Sequence, residues 1–193
     1  DKQVSMSQLL SYKWHFLANT YCDSSGVNIL TAHLFMQPKN GETLEEPEGE
    51  RPIRIGNADM IYTDTIPPQI QYTALGHLHG FKNIGSEENP VVYASSPLSY
   101  SFSEAGQQKY VVVVEVPPDQ RPSFEKIPLK QGKPLARKSF DNVPHALEWL
   151  RENPNTWVEL TLELKEYLKA QERKQLYSTH EGIVFLIPKI SWE

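Results

Sequence analysis

Two histidines one residue apart close the stretch Tyr72-Thr73-Ala74-Leu75-Gly76-His77-Leu78-His79-Gly80. Each imidazole has a polar nitrogen that needs a partner, and neutral imidazole is a common metal ligand. A pair of them after an apolar run therefore suits a metal site better than a core, where a lone buried histidine is usually just hydrogen-bonded. A third, His33, ends the run Val27-Asn28-Ile29-Leu30-Thr31-Ala32-His33 in the same manner. A two-metal hydrolase mixes imidazole with carboxylate around ions about 3.5–4 Å apart. Three histidines supply less than half of such a set, so aspartates and an asparagine would have to complete it. Cys22 is the only cysteine. It excludes an intrachain disulfide and a cysteine-based zinc site.

These histidines need strands to hold them. Residues 70–75 predict a short buried strand, with Gly76 ending it and His77 and His79 alternating onto one side of its extended end. Residues 27–33 predict a matching strand. Residues 91–94 predict a third, followed by a turn at Ser95-Ser96-Pro97, and residues 108–116 carry the strongest strand signal in the chain. Near the start, Leu9, Leu10, Tyr12, Trp14, Phe16 and Leu17 fit an amphipathic helix or irregular packing. Five glutamates fall between Glu42 and Glu50, which reads as a solvated loop. Gly56-Asn57-Ala58-Asp59 reads as a turn.

The 193 residues allow one large or two small domains. No run approaches the roughly 18 apolar residues of a membrane span, and residues 1–10 are polar and mixed, unlike a signal peptide. The composition reads as soluble and cytoplasmic. Net charge is −5, unevenly spread: residues 1–120 carry 7 basic and 14 acidic side chains, residues 121–193 carry 12 and 10. Between Arg121 and Lys138 six bases meet one acid, Glu125. That change of sign after Pro117-Pro118 sets the expected domain boundary at 120/121.

Residues 121–193 predict a small α+β unit. Strands are expected at 123–129 and 135–140, a helix opening at Pro144 behind Asn142, an alternating strand at 156–164, a charged helix at 165–177, and an apolar strand at 182–187 closed by Pro188. His15, His145 and His180 match no motif and read as ordinary surface or helix positions. Arg137 and Lys138 are adjacent on a predicted strand, so alternation exposes at least one of them as a candidate phosphate contact.

Several segments in order carry a family resemblance: Ala32-His33, then Ala74-Leu75-Gly76-His77-Leu78-His79, then Ser95-Ser96-Pro97-Leu98-Ser99-Tyr100-Ser101-Phe102-Ser103-Glu104, then Lys109-Tyr110-Val111. The chain resembles the C-terminal part of the SbcD family of bacterial nuclease subunits, within the calcineurin-like metallophosphoesterases. The resemblance implies an α/β to α+β fold: residues 1–120 as part of a phosphoesterase sheet, residues 121–193 as a capping domain that engages DNA. It implies hydrolysis of phosphodiester bonds at DNA ends or hairpins with two divalent metals, typically manganese. By family pattern His33 and His77 would ligate one ion and His79 the other. Such imidazoles coordinate only when neutral, so acid weakens binding. The implied partners are DNA, an SbcC-type SMC-like ATPase and a second copy of the parent.

The departures matter as much. The family's Asp-x-His, Gly-Asp and Gly-Asn-His-Asp motifs precede the histidine matched by His33, and none is present here. Gly56-Asn57-Ala58-Asp59 imitates the last of them but follows His33 and has alanine where the histidine belongs. The chain is therefore expected to hold no catalytic residue of its own and to be inactive alone. Two further readings stand beside this one: another calcineurin-like phosphoesterase acting on nucleotides or phosphoproteins, and a non-catalytic interaction module with structural histidines.

Overall fold

The computed structural model describes residues 5–45 and 60–190. The turn expected at residues 56–59, and most of the glutamate-rich loop, lie outside the described residues. The chain is mixed α/β and divides into two compact units, Asp1–Pro97 with Gln108–Lys130, and Leu98–Gln107 with Gln131–Glu193.

The first unit opens with helix α1 (Met6–Tyr21), started by a capping box in which Ser5 and Gln8 satisfy each other's backbone N–H groups. A four-stranded sheet follows, in the order β1-β4-β6-β5. Strands β1 (Ile29–His33), β4 (Tyr72–Gly76) and β6 (Val91–Tyr93) run parallel, while β5 (Lys82–Asn83) is antiparallel to β6. A short parallel pair, β2 (Met36–Gln37) with β3 (Ile61–Tyr62), lies between β1 and β4 in the chain. Phe35, Met36, Leu75, Leu78, Ile84, Val91 and Tyr93 form the core of this unit. Burial of both faces of β4 and β6 explains why these strands read as continuous apolar runs.

Strand β7 (Tyr110–Glu115) forms an antiparallel hairpin with β8 (Ser123–Pro128). Pro117 and Pro118 lie in the connection between them. Hydrogen bonds across the hairpin tie residues 123–128 to β7, and residues 108–130 group with the first unit.

The second unit is a parallel sheet β11-β10-β9, made of β9 (Leu135–Phe140), β10 (Trp157–Leu164) and β11 (Ile183–Ile190). Helices α2 (Val143–Glu152) and α3 (Ala170–Thr179) supply the crossovers. Val158, Leu160 and Leu162 alternate inward from β10 and meet Ala146, Leu147, Leu150 and Leu176. Helix α2 begins as its sequence indicates, with Asn142 accepting from His145 N and proline in the first turn. Helix α3 begins at Ala170, later than expected, because the Glu172 carboxylate accepts from the Lys169 N–H at 2.9 Å and fixes the start there. Strand β11 runs through Pro188, which an edge strand tolerates because one side of its backbone needs no partner.

Candidate metal centre

The carboxyl ends of β1, β4 and β6 are brought level by parallel register. His33 pairs with Gly76, and Leu75 with Tyr93. In open parallel sheets this end collects ligands, because loops splay apart there. His33 is exposed at the end of β1, and its ring centroid lies 5.9 Å from that of buried His77, with the planes at 70°. Phe35 makes a second ring contact with His77, at 5.8 Å.

Gly76 permits this approach. A Cβ at position 76 would stand 2.7 Å from His33 Nδ1, closer than side chains tolerate. The next residue bears the strain of the turn: His77 has φ of 114°, a region disfavoured for a residue with a Cβ at a cost of about 1–3 kcal/mol. Strand geometry thus ends at Gly76. The alternation that would have placed His77 and His79 on one side of an extended end does not operate there. His77 turns toward His33 and Phe35, while His79 is half-buried two residues on.

The loop after β1 is pinned by Tyr93, which is wholly buried. Its hydroxyl donates to the Leu34 carbonyl at 3.0 Å and accepts from Met36 N at 2.9 Å. A tyrosine closing the apolar run Val-Val-Tyr was the available signal for this role, because a buried phenol needs a partner. The carbonyl of His79 accepts from Ser96 N at 3.1 Å and from the Lys109 amino group at 2.9 Å. Lys109, which opens the segment Lys109-Tyr110-Val111 of the family resemblance and is given no role of its own there, is 6% exposed.

Two imidazoles sharing one ion at metal–nitrogen distances of about 2.0–2.1 Å place their ring centroids roughly 4.5–6.5 Å apart. The His33–His77 centroid separation falls inside that range. Among the described residues, no group of three or more His, Cys, Asp or Glu stands together in a way that could hold an ion. His33 and His77 are in ring contact with each other, and His79 forms no group of three with them among the described residues.

The other expected site residues lie in the second unit. Arg137 Nε donates to Glu159 Oε1 at 2.5 Å, and the Lys138 ammonium lies 5.3 Å from the Trp149 ring centroid. They leave β9 on opposite faces, as alternation requires. Of the remaining histidines, His145 is exposed and His15 bonds the Ser11 carbonyl one turn back. His180 differs from its surface assignment. It is 3% exposed, with Gly182 N donating to Nδ1 at 3.0 Å and Nε2 donating to the Asn153 carbonyl at 2.9 Å. Those partners fix the Nε2–H tautomer and join the end of α3 to the end of α2.

No family model matches the chain. It is 31% identical over 168 residues to the SbcD subunit of the SbcCD nuclease of Bacillus subtilis, an alignment covering 86% of this chain and 42% of that protein. It is 33% identical over 129 residues to the SbcD subunit of the same nuclease from Escherichia coli K12, covering 64% of this chain and 32% of that protein. The chain thus spans less than half the length of these relatives. Among the described residues, no helix is long and apolar enough to cross a membrane.

Proposed function

Taking the chain as an SbcD-like region, we propose that it contributes imidazole ligands to the metal centre of a DNA nuclease subunit. The observation that carries this reading is the His33–His77 pair, held at the carboxyl ends of adjacent parallel strands, in a chain similar to nuclease subunits along most of its length. In this reading His33 and His77 serve one divalent ion, manganese in preference, and His79 serves a second. Bound metals would supply charge stabilisation at the scissile phosphate. The contribution of this chain is to hold the rings: β1 and β4 set their spacing, Gly76 gives room for His33, and Phe35 backs His77.

Carboxylate ligands come from elsewhere in this reading, so the chain alone has no nuclease activity. The second unit acts as the cap, with Arg137 and Lys138 positioned for phosphates. The assembled subunit works with an SbcC-type ATPase, as the names of the relatives suggest, and as a homodimer. Titrating Mn2+ into the 15N-labelled chain tests the core of the proposal. Paramagnetic broadening should reach the imidazole signals of His33 and His77 first. Uniform or absent broadening at millimolar metal would overturn it. For activity, the purified chain with manganese and linear duplex DNA should give no product above a metal-free control.

A further inference from the structure

We infer that Lys109 and Ser96 are positioning residues, clamping the carbonyl of His79 and thereby the turn that carries both His77 and His79. The functional meaning of the clamp rests on the metal-site reading above; the clamp itself rests on hydrogen-bond geometry.

Lysine is among the least buried residue types, because its amino group must be desolvated and its long side chain immobilised. Lys109 is nevertheless 6% exposed, with Nζ donating to His79 O at 2.9 Å. The same oxygen accepts from Ser96 N at 3.1 Å and, at the limit of a hydrogen bond, from Ser96 Oγ at 3.4 Å. A carbonyl has two lone pairs. The Lys109 amino group and the Ser96 amide fill them, and the hydroxyl is the weak third donor.

The donors are themselves tied together. Ser95, at φ of 92°, donates through Oγ to the Ser96 carbonyl at 2.8 Å and accepts from Tyr110 N at 3.2 Å. Lys109 and Tyr110 are consecutive at the start of β7. Two adjacent residues thus reach the two ends of one cycle, Lys109 onto His79 and Tyr110 onto the Ser95–Ser96 turn that also holds His79. The cycle closes two residues after His77, whose φ of 114° requires an external hold. Metal ligands need placement within about 0.5 Å, and a fixed backbone carbonyl is one way to provide it. This also gives a role to Ser95-Ser96 and Lys109-Tyr110, segments that the metal-site reading itself leaves unused.

The test is made on the metal-free chain, so that it does not depend on ligation. In wild type, the Lys109 ammonium should give a slowly exchanging 15N–1H signal, unlike the exposed Lys133. Lys109→Met should shift the His79 carbonyl 13C resonance, move the His77 and His79 imidazole signals, and speed exchange of the Ser96 amide, which donates to that carbonyl, by about tenfold or more. Trp149 and Trp157 indole signals should stay in place. Lys109→Arg, which retains a donor, should restore part of the His79 shift; a purely space-filling role would instead make methionine the better substitute. Should Lys109→Met fail to fold, the wild-type ammonium signal decides. An ammonium exchanging as fast as a surface lysine, or a His79 carbonyl resonance unmoved in Lys109→Met, overturns the clamp. Mn2+ titration of wild type is scored separately: no metal response with an intact His79 shift removes the metal reading and leaves the clamp.

Discussion

Gly76 illustrates how one missing methyl shapes this site. With a Cβ 2.7 Å from His33 Nδ1, Gly76→Ala must swing the His33 ring away or push β1 from β4. Overpacking of this kind costs about 1–3 kcal/mol. Urea denaturation should show a loss of that order, and the His33 imidazole signals should move while those of His180 stay. A variant as stable as wild type with an unchanged His33 environment would refute the geometry. Tyr72 offers a separate check of the first unit. Burial pushes its phenol up to about 12 from an ordinary value near 10. The neutral form is favoured in the fold, so its contribution to stability is complete below about pH 10 and is lost as pH rises toward 12. Stability measured at pH 9, 10.5 and 11.5 should fall across that window, and Tyr72→Phe should flatten the fall. Among single residues, the histidines and Gly76 were legible in the sequence because their spacing is chemical. The strain at His77, the burial of His180 and the Lys109 bond were not, because each depends on segments distant in the chain.

The elements were more legible than their partnerships. Asn142 and Pro144 marked α2, and the alternation of residues 157–164 marked β10, because capping and periodicity are local. Which strand would pair with β8 was not local. The strand expected at 123–129 was assigned to the same small unit as 135–140, yet it pairs with β7, whose Val111, Val112, Val113 and Val114 face Ile127, Lys126, Glu125 and Phe124. Strand β1 presents another consequence of pairing. It lies at the edge of its sheet, and its outward positions include exposed Ile29. Nothing along Ile29-Leu30-Thr31-Ala32-His33 guards that edge: it has no lysine, proline or bulge. Met6, Leu9, Tyr12, Phe16 and Leu17 of α1 are exposed in the same unit. We expect the chain to self-associate at high concentration. Sedimentation equilibrium should show a dimer or larger species, and Ile29→Lys should shift it toward monomer. A strictly monomeric wild type at hundreds of micromolar would dismiss the idea.

At the scale of the whole molecule the question is where DNA would bind a chain of net charge −5. The excess of base lies between Arg121 and Lys138, but the structure shows much of it engaged. Arg121 pairs with Glu88 at 2.6 Å, Arg137 with Glu159 at 2.5 Å, and the Lys133 ammonium sits 4.5 Å from the Trp157 ring centroid. An arginine held by a carboxylate can meet a phosphate only by exchanging one anion for the other. In the proposed reading Glu159 would therefore compete with DNA for Arg137. If Arg137 and Lys138 neutralise phosphates, Arg137→Glu with Lys138→Glu should weaken binding and reduce the slope of log K against log salt by about 0.9 for each phosphate no longer neutralised. Glu159→Gln should act in the opposite direction, releasing Arg137 and tightening binding. Fluorescence anisotropy of a labelled duplex at four salt concentrations reads both effects. Loss of affinity in the reversed protein without a change of slope would point to damaged folding, which the circular dichroism of that variant would reveal. Unchanged affinity and slope in both variants would show that this stretch only solvates the second unit, and the DNA surface would have to be sought elsewhere.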